Sequence, residues 1–151
     1  MENAHKIKLS ERLSSLVRPR HYQLNLNPNL ETGLFHGEVI IDINDKDYSN
    51  YQLELKFTGN LTRYIIGFYL SNLKNKGAMV TSKFQPTYAR QAFPCFDEPE
   101  FKATYDITSV KPLNYVALSN MNEAKINTNG NGLNFNLSNV VSGRWREMDK
   151  N

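Results

Sequence analysis

The chain has 151 residues, 40% of them hydrophobic and 22% charged, which suits one globular domain burying about two thirds of its unfolded surface. No apolar run approaches the roughly 20 residues of a membrane-spanning helix, so the chain translated as given is expected to be soluble and cytoplasmic, while the sequence itself leaves the compartment undecided. The net charge of +3 comes from the first twenty residues, where Lys6, Lys8, Arg12, Arg18 and Arg20 outnumber Glu2 and Glu11; with no basic stripe left for the body, nucleic-acid binding is not expected.

Residues 1–15 read as a polar arm without the apolar stretch of a signal peptide. Tyr22, Leu24 and Leu26 then alternate with polar partners, the period of a half-buried strand, and Pro28, Asn29 and Gly33 supply a turn. A second strand is expected over His36–Asn44, with Val39, Ile41 and Ile43 on one face, and a third where Leu53, Leu55 and Phe57 alternate with Glu54 and Lys56. Arg63–Leu70 is aromatic and β-branched without a clean period, which leaves a strand or an irregular extended connection open.

Ala78–Phe84 reads as a strand leading into Gln85–Glu100, a segment holding Pro86, Pro94 and Pro99. Proline fixes φ and lacks a backbone donor, so this segment can be neither regular helix nor central strand. Phe101–Lys111 is expected to leave it as a strand with Phe101, Ala103, Tyr105 and Ile107 on one side. A short strand at Tyr115–Leu118 and a hairpin of Lys125–Thr128 with Leu133–Leu137 across Asn129-Gly-Asn-Gly complete the series. No segment carries a helical apolar period. Many short strands with turn residues between them predict an all-β fold, a sandwich or saddle-like arrangement of mostly antiparallel strands. The expected organisation is a polar arm over 1–15, a β-domain over 16–141 and a tail over 142–151.

Chemistry-bearing motifs are few. A hydrolytic zinc site needs a pattern such as H-E-x-x-H, which places two imidazoles on one helical face, and the sequence has none. His36 and Glu38 read as a surface pair. Asp97, Glu98 and Glu100 are expected to cap a turn and pair with Arg90 and Lys102. The lone Cys95, between Pro94 and Phe96, reads as a buried hydrophobe without a histidine base. Asn60 and Asn136 begin sequons that matter only on a secretory route.

The run Phe84-x-Pro-Thr-x-Ala-Arg-x-Ala-Phe-Pro-Cys-Phe-Asp-Glu-Pro-x-Phe-Lys-Ala-Thr-Tyr-Asp-Ile, with Ala117-Leu-Ser-Asn-Met after it, resembles the N-terminal domain of the zinc aminopeptidases of the aminopeptidase N and puromycin-sensitive type. Arg12-Leu, Pro19-x-His-Tyr-x-Leu, Phe35-x-Gly-x-Val-x-Ile and Gly67-Phe-Tyr agree with it. The resemblance implies a β-saddle. It also implies a parent enzyme that uses zinc to remove amino acids from peptide N-termini, with its metal site in a following catalytic domain. It assigns Lys83 and Gln85 to positions beside the substrate's free amine. Gln85 is a tolerated variation, whereas Lys83 sets a cation where the family has a neutral acceptor and opposes binding of an ammonium group. Arg90, Phe93, Pro94, Cys95, Asp97, Glu98 and Pro99 are expected to form a structural loop. The family has several further strands where this chain has six residues between Asn44 and Tyr51, so the domain is expected to be incomplete.

The resulting expectation is a non-catalytic N-terminal domain with no catalytic residue, metal or cofactor of its own, zinc belonging to the full-length family. Its expected partners are peptide N-termini, a catalytic domain or a full-length aminopeptidase. The alternative is a β-domain interaction module that binds such an aminopeptidase.

Overall fold

The computed structural model describes residues 13, 16–46, 49–73, 77–112, 115–119, 125–129 and 132–141, with backbone alone for 72–73, 125–129 and 132–141. Among the described residues eight strands lie in two sheets: β1 (Val17–Pro28), β2 (Leu34–Asp45), β3 (Asn50–Asn60), β4 (Gly67–Leu73), β5 (Gly77–Lys83), β6 (Thr104–Lys111), β7 (Lys125–Asn129) and β8 (Gly132–Val141). The larger sheet has the order β3-β2-β1-β6-β8-β7, and β4 pairs with β5 in a separate two-stranded sheet. Every pairing is antiparallel except β1 with β6, and the larger sheet is open at both ends. This is the expected mostly antiparallel all-β architecture, an incomplete sandwich or saddle.

Alternation in sequence becomes alternation of faces. Tyr22, Leu24 and Leu26 of β1, Phe35, Val39, Ile41 and Ile43 of β2 and Ile107 of β6 are buried on one face, while their neighbours His21, Asn25, Glu38 and Asp42 look outward. Each such aliphatic or aromatic side chain contributes about 1.5–3 kcal/mol when fully buried. The register slips between Pro19 and His21, next to a proline that cannot donate to the ladder; the other proline of β1, Pro28, ends the strand. The β4–β5 hairpin and the proline-rich segment add Phe68, Phe84, Ala92, Phe93 and Ala103 to the same buried cluster.

Two cross-strand pairs of glycine and phenylalanine close the β2–β3 contact. Gly37 stands opposite Phe57, and Phe35 opposite Gly59. A Cβ on either glycine would run into the facing ring. The rings therefore occupy the space that a side chain would need.

Three elements differ from the sequence expectation. Arg63–Leu70, which the sequence left open between strand and irregular chain, divides at Gly67, whose φ of +75 marks the change, so only Gly67 onward is strand. Tyr115–Leu118 forms no strand, and Val116 and Leu118 are 82% and 92% exposed; alternation there meets no core to bury against. Phe101–Ala103 precede β6 as irregular chain, although Phe101 and Ala103 are buried as expected. The β7–β8 hairpin forms with Asn129 opposite Gly132. The polar arm lies outside the described residues except for Leu13, and the tail over 142–151 lies wholly outside them.

Candidate functional site

The proline-rich segment leaves β5 at Lys83 and is held against the sheet by aromatic packing. Phe93 meets Tyr22, Phe84 and Tyr105 edge to face, with ring centroids 6.5, 6.0 and 6.4 Å apart. Tyr22 in turn stacks on Tyr105 at 4.6 Å and 5°. Edge-to-face and offset-stacked rings add about 0.5–1.5 kcal/mol per pair beyond their buried area. A short turn of 3-10 helix, Ala89–Gln91, carries the chain from Phe84 toward Phe93.

Polar contacts fix the second half of the loop. The Asp97 carboxylate accepts from the Arg90 backbone N–H at 3.0 Å and from Arg90 Nε at 3.1 Å, while Arg90 Nη2 donates to the Asp97 carbonyl at 2.6 Å. Asp97 is thus a loop brace, with a charge-assisted contact at each oxygen-bearing group. The Tyr22 hydroxyl accepts from the Phe96 N–H at 3.1 Å, tying the loop to the middle of β1. Burial pushes the Tyr22 phenol well above its ordinary value despite that hydrogen bond. Glu98 Oε1 accepts from the Leu13 N–H at 2.8 Å, and Phe96 packs on Phe101 at 5.7 Å. Pro94 is half-buried and Pro99 exposed.

Cys95 is half-buried, and desolvation, followed by the nearby Asp97 charge, pushes its thiol up to about 12. A thiol in that state is protonated at neutral pH and is a poor nucleophile. Lys102, expected in an ion pair, makes none among the described residues; its backbone N–H donates to the Glu100 carbonyl instead.

Lys83 and Gln85 are both exposed, with Phe84 buried between them. They therefore flank the point where β5 enters the loop, and Lys83 forms no ion pair among the described residues. His36 and Glu38 do not act together. His36 Nδ1 lies 3.1 Å from Thr58 Oγ1, and Glu38 takes Lys56 at 3.3 Å. Asn60 is exposed at the end of β3, whereas the Asn136 side chain lies outside the described residues.

One polar constellation has no counterpart in the sequence reading. His21 Nδ1 sits 2.7 Å from Thr104 Oγ1, and its Nε2 is 3.4 Å from Asp106 Oδ2. The parallel pairing of His21 with Thr104 creates it, and that register joins residues far apart in sequence. Thr104 Oγ1 also lies 3.3 Å from the Arg20 carbonyl, so its one hydroxyl proton has two acceptors in reach, that carbonyl and the imidazole. The arrangement ties β1 to β6.

Among the described residues no group of three or more His, Cys, Asp or Glu side chains could hold a metal ion. No helix among them is long and apolar enough to cross a membrane. An open depression of about 520 Å³ lies over Asn25, His36, Glu38 and Lys56 on the sheet, away from Lys83 and Gln85.

Residues 43–142 match the family model described as the peptidase M1 N-terminal domain. The puromycin-sensitive aminopeptidase of Caenorhabditis elegans is 30% identical over 166 residues, taking in 74% of this chain and 18% of that protein. Because the match runs over more residues than the 151 of this chain, the relative carries extra residues within the matched stretch. Aminopeptidase N of Canis lupus familiaris is 46% identical over 76 residues, 48% of this chain and 8% of its own length. Glutamyl aminopeptidase of Sus scrofa is 45% identical over 74 residues, 47% and 8% respectively. The chain thus spans less than a fifth of each of these relatives.

Proposed function

The chain belongs to the peptidase M1 N-terminal domain family, and on that premise we propose that it serves as a non-catalytic β-domain of a zinc aminopeptidase, an enzyme that removes amino acids from peptide N-termini. The observation that carries this reading is the placement of the matched loop. The residues of Phe84–Ile107 that most strongly mark the family close the domain's own core, and the sequence contains no H-E-x-x-H pattern to hold zinc. The domain, read as 16–141 between an arm and a tail, then acts by packing beside a catalytic module of the same family, which supplies the metal.

Within that role Lys83 and Gln85 face the substrate's free amine. Their support is exposure at the mouth of the loop, on either side of the buried Phe84. Gln85 offers an amide oxygen to an ammonium group. Lys83 brings a positive charge to the same place, which lowers affinity for a protonated N-terminus and makes this the weak point of the subsite.

The test uses the purified chain with added zinc and a panel of aminoacyl-coumarin substrates. The expected result is no release of coumarin and no stoichiometric zinc binding. Turnover together with one bound zinc per chain overturns the proposal.

A further inference from the structure

Among the described residues β3 is an edge of the larger sheet, and of the devices that protect an edge it has surface charge but neither proline, bulge nor inward-pointing charge. Its 11 residues contain no proline, its register against β2 runs without a bulge from Asn50 to Asn60, and no charged side chain points to the core face. On that face Tyr51 and Leu53 are 57% and 41% exposed, although they stand opposite the buried Ile43 and Ile41. On the outer face Glu54 stands opposite Ile40 and has no ionic partner among the described residues, while Lys56, opposite Glu38, keeps a side chain that is 76% exposed.

We infer that two copies of this chain pair antiparallel along β3, about a two-fold axis through Leu55, to form one continuous sheet. The occupant is set by the strand's own pattern. A two-fold axis perpendicular to the sheet keeps each side chain on its face, so it must pass through a residue, and each choice of residue fixes every cross-strand pair. With the axis at Leu55, Glu54 faces the partner's Lys56 and Lys56 faces the partner's Glu54. Axes at Glu54 or Lys56 set like charges opposite each other. Axes at Leu53 or Phe57 leave both charges opposite amides or hydroxyls. Only the Leu55 register gives Glu54, which has no ion pair among the described residues, an opposite charge to face, and it does so twice.

The inner face agrees with that register. Leu53 meets the partner's Phe57, and Tyr51 comes to lie beside the partner's Gly59, which is already roofed by an aromatic ring within its own copy. The two exposed apolar side chains of β3 are covered by the same operation. Backbone hydrogen bonds along the strand supply affinity, and the crossed charges fix the register.

Sedimentation equilibrium of the full chain over a range of concentrations tests this. The chain is expected to form a closed dimer. Glu54→Lys and Lys56→Glu should each weaken it about tenfold or more, because each turns two attractive cross-strand pairs into repulsive ones. An equimolar mixture of the two variants should recover a heterodimer of the original strength, since every crossed pair is again opposite in sign. Lys56→Glu also loses the contact with Glu38, so its fold is checked by circular dichroism. Should it unfold, Glu54→Gln, which removes attraction without adding repulsion, must weaken the dimer less than Glu54→Lys does. A chain that stays monomeric, open-ended association beyond a dimer, or a dimer indifferent to the charge at position 54 overturns the inference.

Discussion

On the β6 side of β1 the sheet is roofed. Phe93 packs on Tyr22 and Tyr105, Arg90 clamps Asp97, and the Tyr22 hydroxyl holds the Phe96 amide, so a loop with three prolines lies fixed on the core. On the other side, β3 has the same alternating pattern, yet Tyr51 and Leu53 remain exposed at 57% and 41% while Ile43 and Ile41 beside them on the same face are 8% and 2% exposed. The pattern of a strand specifies which face is apolar. Whether that face is buried depends on a second layer, and here the hairpin and the proline-rich loop roof β1 and β2 but stop short of the start of β3.

Substitutions can break this contrast, beginning with the largest effect. Phe93→Ala is expected to cost about 3–5 kcal/mol of unfolding free energy, measured by urea denaturation, because it empties the aromatic centre of the roofed side. Gly37→Val should cost about 1–3 kcal/mol, since its new side chain must displace the Phe57 ring from the β2–β3 contact. Asp97→Ala should cost about 0.5–1.5 kcal/mol by removing the carboxylate on which the Arg90 N–H and guanidinium now end, since the exposed Arg90 donors then turn to water. A cost near zero for Asp97→Ala would mean that aromatic packing alone holds the loop.

Alkali sharpens the same comparison. The Cys95 thiol is raised in the folded state from 9.0 to about 12, so the unfolded chain ionises first. Its contribution to stability is complete below pH 9, the ordinary value, and is lost as pH rises toward 12. The unfolding free energy from urea denaturation should therefore decline through that interval, with a slope of at most about 1.4 kcal/mol per pH unit from this group. Cys95→Ala should flatten the first part of the decline; an unchanged slope would show that the thiol is accessible. The smallest effect is expected at the unroofed edge, where Leu53→Ala in the monomer should change stability by no more than about 0.5 kcal/mol. A cost comparable to that of Phe93→Ala would show that this face is covered.

Much of the fold was legible because period-2 alternation marks strand faces directly, as with Leu24 and Leu26 of β1 or Val39, Ile41 and Ile43 of β2. Proline spacing marked the loop, and Asn129-Gly-Asn-Gly marked the last hairpin. Long-range pairing was less accessible. Nothing local in Tyr22-Gln-Leu-Asn announces a parallel partner at Tyr105-Asp-Ile-Thr, and the His21, Thr104 and Asp106 contacts follow only from that register. Tyr22 was readable as an inward strand residue, but its hydroxyl's grip on Phe96 depends on how the loop folds back. At Tyr115–Leu118 the pattern misled, because alternation without a layer to bury against has no stabilising consequence. Lys83 and Gln85 were singled out by resemblance alone, and their exposure around Phe84 is what the structure adds.

The family-marking loop packs as a roof on its own sheet. Hydrogen exchange at the Phe96 amide tests it most directly, by comparing the native chain with Tyr22→Phe. In the native chain this amide is expected to exchange only through global unfolding, and removing the Tyr22 hydroxyl should open it to faster local exchange. Exchange of the native Phe96 amide at the rate of a solvated loop, unchanged in Tyr22→Phe, would contradict it.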